Sequence, residues 1–157
     1  MLIEKVIGTL DSGEKRTIDY VDIEWHEAFK KIHKKTTQAG EEIGIRLDNQ
    51  ILTRGLRQGD VLYEDSNRVI AVRIPACEAM VIRIKPDHEK AIAQVCYEVG
   101  NTHGTLFWGN EGNEFFTPIN DPLMEKLQKM HGVEVEKKQV IFDFDKAISS
   151  SINNHHH

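Results

Sequence analysis

Hydrophobic positions along the first 75 residues recur mostly at period 2 and are broken often. Leu2 to Leu10 alternates loosely, with Leu2, Val6 and Leu10 on one phase and Ile3 and Ile7 on the other. Tyr20, Asp22 and Glu24 interleave with Val21, Ile23 and Trp25, the pattern of a half-buried strand. His26 to Thr37 is ambiguous: Ala28, Phe29 and Ile32 fit a helix, and the basic, Thr-rich end fits a strand. Ile43, Ile45 and Leu47 alternate again, and strands are expected at Val61 to Glu64 and Arg68 to Ile74. Asp11-Ser12-Gly13, Gln38-Ala39-Gly40, Leu56-Arg57-Gln58-Gly59-Asp60 and Asp65-Ser66-Asn67 supply the turns. Short strands with evenly spaced turns predict a small antiparallel sandwich or barrel.

After Pro75 the periodicity changes. Met80, Ile82 and Ile84 share one strand phase. Pro86-Asp87-His88 opens a helix with Asp87 as its N-cap, and Ile92, Val95, Cys96 and Val99 form one apolar helical stripe. Gly100 stands where a C-cap glycine belongs. Thr105–Trp108 and Asn113–Thr117 make a hairpin across Gly109 to Gly112. Asp121-Pro122 starts a second helix, with Asp121 as N-cap, Leu123, Leu127 and Met130 inward and Gly132 as its stop. A last strand runs from Val133 to Phe142. The order βαββαβ is that of a ferredoxin-like α+β domain. The expected organisation is an all-β, sandwich- or barrel-like domain over residues 1–75, a ferredoxin-like domain over 76–142, and a flexible, His-ending tail over 143–157.

A chain of 157 residues can bury a core as one domain or two small ones. No run approaches the ~18 apolar residues of a membrane helix. The N-terminus lacks a charged start followed by an apolar block, which points to a cytoplasmic protein. Two Cys do not make a disulfide framework in a chain this long. A sequence pI of 5.9 argues against nucleic acid as a partner. Residues 1–75 hold 12 basic and 13 acidic groups and residues 76–157 hold 8 and 12, so the second half is the better host for a cation.

Eight residues are His. His103, in Gly100-Asn101-Thr102-His103, follows the predicted end of a helix, where unpaired carbonyls and partial negative charge favour a cation. Imidazole suits Zn, Cu and Ni. One His makes a poor site by itself, and a two-fold dimer would supply a second copy. His155, His156 and His157 form a tethered cluster able to add ligands to a site held elsewhere; a remnant of a purification tag is the bland alternative. His26 and His33 read as surface residues, His88 as a neutral residue in a first helical turn, and His131 as a helix-end residue favoured by the dipole. Cys96 reads as a small core residue, Cys77 as a junction residue, and Asp143 and Asp145 as a strand-end pair. No nucleophile elbow, P-loop, dinucleotide fingerprint or His-Glu-x-x-His is present, so no catalytic residue is nominated.

Thr37-Gln38-Ala39-Gly40 through Ile45-Arg46-Leu47, then Leu56-Arg57-Gln58-Gly59-Asp60-Val61-Leu62, resembles the Thr-x-x-Gly…Ile-x-Leu…Leu-x-x-Gly-Asp-x-Leu pattern of the UreE urease accessory proteins, which are nickel metallochaperones. Gly100, Asn101 and His103 are similar to that family's Gly-Asn-x-His segment. The resemblance covers nearly the whole chain. It implies a homodimer with a peptide-binding-like β domain and a metal-binding ferredoxin-like domain. His103 from two subunits would meet at the interface and bind Ni2+, and His155, His156 and His157 would contribute as a group. Zn2+ or Cu2+ can bind the same kind of site. Thr102 stands where many members carry Arg, and the tail is shorter than the His-rich tails of some.

The leading expectation is a non-enzymatic nickel chaperone that works with other urease accessory proteins and the urease apoprotein, and with neither nucleic acid nor membrane. Imidazole binds metal only when neutral, so affinity is expected to fall below about pH 6.5. The alternatives are an adaptor whose β domain grips a partner peptide, with incidental metal binding, and a small hydrolase using His103 as base.

Overall fold

The computed structural model describes residues 1–148. They divide into two compact units, Met1–Pro75 and a second beginning at Ala76.

The first unit opens with β1 (Leu2–Ile3) and β2 (Gly8–Thr9), which lie in different sheets. The single strand expected over Leu2 to Leu10 is therefore two short ones. Its apolar residues keep no common phase: Ile3 is buried while Leu2 and Ile7 are exposed. A strand that cannot keep one face inward can serve two sheets instead by bending between them. β3 (Thr17–Asp22) is followed by a 3-10 turn at Trp25–Glu27, then β4 (Ile32–Thr36), β5 (Glu42–Arg46), a short helix α1 (Ile51–Arg54), β6 (Asp60–Glu64) and β7 (Arg68–Arg73). The ambiguous stretch from His26 is thus one 3-10 turn and one strand. α1 was not expected.

The sheets run β1-β5-β4 and β2-β6-β7-β3. Two pairings are parallel, β1 with β5 and β3 with β7, which corrects the expectation of an antiparallel sandwich. Parallel neighbours need long connections, and each of these pairs is joined through intervening strands that include strands of the other sheet. Val21, Ile23, Ile43, Ile45, Leu56, Val69 and Ile70 fill the core.

The first domain's sequence motifs are turn chemistry. Thr37 Oγ1 accepts the Glu41 N–H (3.1 Å), and the Gly40 N–H closes onto the Thr37 carbonyl (2.9 Å). Asp60 is buried. Its carboxylate accepts both Arg54 guanidinium nitrogens (2.8 and 2.7 Å) and the Arg57 N–H (2.8 Å), fixing the turn into β6. Each bond to a charged group is worth ~1.5–3 kcal/mol.

The second unit runs β8 (Cys77–Ile84), α2 (Glu89–Asn101), β9 (Phe107–Trp108), β10 (Glu114–Pro118), α3 (Asp121–Gln128) and β11 (Val133–Val140). The sheet order β11-β8-β10-β9, antiparallel throughout, is the ferredoxin-like arrangement. The stripe of α2 lies where its spacing placed it. Val95 and Val99 are fully buried, and Ile92 and Cys96 pack at the margin of a core shared with Met80, Ile82, Phe115 and Leu127. Burying each Val stabilises by ~1.5–3 kcal/mol.

Both N-caps are one residue away from expectation. Asp87 has φ 65°, which an extended N-cap cannot have, so His88 occupies the cap position. Asn120, extended at φ −150°, caps α3 by accepting the Leu123 N–H (3.0 Å); Asp121 is the first helical residue.

Residues 143–148 are part of the second unit's structure, which corrects the tail boundary at 143. Phe142 stacks on Phe107 (4.5 Å), a 3-10 turn spans Phe144–Lys146, and the Ile148 N–H reaches the Leu106 carbonyl (2.8 Å). Apolar Phe142 and Ile148 pull this stretch onto the sheet although it lacks periodicity. Residues 149–157, including His155, His156 and His157, lie outside the described residues.

Candidate metal centre

α2 does not end at Gly100. It continues to Asn101, with Thr102 as C-cap. The His103 N–H donates to the Gly100 carbonyl (3.0 Å) and the Gly104 N–H to the Val99 carbonyl (3.2 Å). This pair of bonds is the Schellman closure, and it places His103 at the left-handed position, φ 59°. Glycine usually fills that position because other L-residues pay ~1–2 kcal/mol there. Gly104 follows because the return is tight. A Cβ on it would sit 3.2 Å from Thr102 Oγ1 and 3.3 Å from Val99 Cγ1. The Thr102 hydroxyl also donates to the Val99 carbonyl (2.7 Å).

The result is an exposed imidazole held at the C-terminal end of a 13-residue helix. The helix dipole there favours a cation. Gly100, Asn101 and Thr102 beside it are exposed, a Cβ on Gly100 would meet nothing within 4 Å, and Tyr97, one turn earlier, is 68% exposed. Among the described residues no group of three or more His, Cys, Asp or Glu side chains could hold a metal ion.

The other histidines separate into three environments. His26 is exposed and packs edge-on to Trp25 (6.0 Å). His33 is not a surface residue. It is 6% exposed, paired in register with buried Ile45, and its Nε2 hydrogen-bonds the Lys30 carbonyl (2.9 Å). That bond satisfies the ring inside the sheet, so the strand turns Ile32 outward instead, 70% exposed. Burial pushes the His33 imidazole below its ordinary pKa. His88 and His131, treated separately in the sequence, are in contact, with ring centroids 4.8 Å apart. Neither spacing nor periodicity links positions 88 and 131; their meeting needs the tertiary fold.

Cys77 and Cys96 are not joined by a disulfide and are half-buried, and burial pushes the Cys96 thiol up. Asp143 accepts the Asp145 N–H (3.0 Å), so that pair includes a local 3-10 cap.

An exposed imidazole held at a helix end is open to approach by another chain. Residues 3–75 match the N-terminal domain of UreE urease accessory proteins, and residues 79–157 match the C-terminal domain. The urease accessory protein UreE of Acetivibrio thermocellus is 41% identical over 131 residues, covering 82% of this chain and 81% of that one. Those of Helicobacter pylori (strain Shi470) and Helicobacter acinonychis are 39% and 38% identical over 132 residues, covering 83% of this chain and 76% of theirs. The chain belongs to the UreE family of urease accessory proteins.

Proposed function

We propose that this protein carries Ni2+ for assembly of the urease active site, binding it at His103 of two subunits of a homodimer, with His155, His156 or His157 adding ligands. The observation that carries the reading is the backbone of His103. A left-handed His where glycine is cheaper has an evident use if the side chain, rather than the turn, is what the position serves. The exposed surface around Gly100 and Tyr97 leaves room for a second copy to approach.

Chain geometry supports the tail's role. The last described bond ties Ile148 to Leu106, three residues after His103. Three residues span at most ~11 Å, whereas the seven from Ile148 to His155 span up to ~25 Å, so the length of chain does not stand against a joint site with His103. Short tethers of this kind give effective concentrations of about millimolar. Such a site collects an ion and still releases it. The same imidazoles accept Zn2+ or Cu2+. No described helix is long and apolar enough to cross a membrane, and the reading places the protein in the cytoplasm as a non-enzyme.

Equilibrium dialysis of Ni2+ with size-exclusion chromatography tests it. His103→Ala is expected to lose the tight site with the dimer retained, and removal of residues 152–157 to weaken it. Unchanged nickel stoichiometry and affinity in His103→Ala would sink the assignment.

The β domain has a feature that favours partner docking as its share of the work. Leu2, Gly44, Lys34 and Ile32 lie on the outward face of the three-stranded sheet, with Leu2 55% and Ile32 70% exposed. On the adaptor reading, Ile32→Lys reduces binding to purified urease apoprotein or another accessory protein, and His103→Ala does not. Equal binding by wild type and Ile32→Lys removes this face from the account.

A further inference from the structure

We infer that His88 and His131 form a second divalent transition-metal site, separate from His103 and of lower affinity. Three contacts hold the His88 ring. Its Nδ1 lies 2.8 Å from the Pro86 carbonyl. A carbonyl only accepts, so Nδ1 is the donor in this bond and Nε2 is the nitrogen left to face an ion, the arrangement usual for a metal-binding imidazole. The ring also sits over Gly132, where a Cβ would lie 2.4 Å from its carbons. Finally, it meets His131 at 4.8 Å between centroids, with the planes 62° apart.

The spacing suits a shared ion. Two imidazoles bound at ~2.1 Å to one ion, at angles between cis and tetrahedral, keep their centroids about 4.5–5.2 Å apart. His131 is exposed, so its ring can turn to bring a nitrogen to the ion. The pair lines an open cleft of about 340 Å3 that also contains Asp87, Glu89 and Lys90, two carboxylates and one ammonium. α3 ends at Gln128 with Lys129 as its C-cap, two residues before His131, and this helix end adds partial negative charge, which offsets the positive start of α2 beside His88.

Two imidazoles with water in the remaining positions bind Cu2+, Ni2+ or Zn2+ more weakly than three or four protein ligands do. Nothing in this site depends on His103 or on the tail.

The test uses the full chain with His103→Ala, His155→Ala, His156→Ala and His157→Ala, titrated with Cu2+ and followed by calorimetry and by NMR of the imidazole protons. Saturable uptake of one Cu2+ per protomer is expected, with broadening confined to His88 and His131, and further substitution His131→Gln is expected to abolish it. His131 is exposed, so this variant folds; His88→Gln provides the second arm. No saturable uptake in the four-Ala chain, or uptake unchanged by both Gln substitutions, overturns the site and leaves the pair as a packing contact. Failure of the His103 assignment shows separately, as unchanged nickel binding by His103→Ala alone.

Discussion

Replacing His103 by Gly should make the protein more stable while removing its proposed ligand. The position has φ 59° and sits inside two Schellman hydrogen bonds that a backbone alone can make. The left-handed conformation costs an L-residue ~1–2 kcal/mol, and glycine adds ~0.5–1 kcal/mol of unfolded-chain entropy, so the net gain is about 0.5–1 kcal/mol. In a domain of this size each kcal/mol moves the midpoint by roughly 4–8 °C, which gives a rise of ~2–8 °C. His103→Ala is the control. Alanine keeps a Cβ, so it retains the backbone cost and should melt with the wild type. The assay is thermal unfolding by circular dichroism in a chelator, with the transition of the second domain followed if the two units melt apart. Equal midpoints for the Gly and Ala variants would refute the claim that the backbone at 103 is strained. A gain for Gly together with unchanged nickel binding would leave the strain real and its purpose wrong.

Gly132→Ala should destabilise the second unit by about 2 kcal/mol or more, because φ is 80° and the new Cβ would lie 2.4 Å from the His88 ring; adding His88→Ala should recover the steric part, and urea midpoints of both variants check this. Asp60→Ala should cost about 2–3 kcal/mol in chemical denaturation, since it removes three bonds to a buried carboxylate, although Arg54, 41% exposed, keeps water on its open side. His33 is buried in its neutral form, with its pKa below the ordinary 6.5. The unfolded chain therefore takes up a proton there first as pH falls, and stability is lost below about pH 6.5. His33→Gln, which can still donate to the Lys30 carbonyl, should flatten the melting temperature between about pH 7.5 and about pH 5.5; a slope equal to wild type would show that other groups set it.

Much of this architecture was legible because the core obeys simple periods. The α2 stripe, the β10 hairpin and the turns at Gly40 and Gly59 follow from local spacing, and local spacing placed them. The errors have a common origin in competition from tertiary pairing. β1 and β2 separate because Ile3 and Ile7 cannot both be buried by one sheet. β4 buries His33 and exposes Ile32, since register with β5 and a bond to Lys30 outweigh hydrophobicity at a single position. Both helix caps shift by one residue because capping depends on φ and ψ, and composition names several candidates without fixing either angle.

The candidate site is a different case. His103 could be singled out by its neighbours, but the reason for its exposure is the left-handed turn, and a sequence carrying Gly100 nearby argues for the wrong residue in that role. Gly100 lies inside the helix, with open space where its Cβ would be. The glycine therefore serves the surface beside the imidazole, and the imidazole occupies the glycine position. On the proposed reading, that exchange has a use, because approach to the helix end then matters more than the cheapest turn. Docking of a second copy around a shared ion would impose that demand, and a backbone cost of ~1–2 kcal/mol is small beside what a metal–imidazole bond returns.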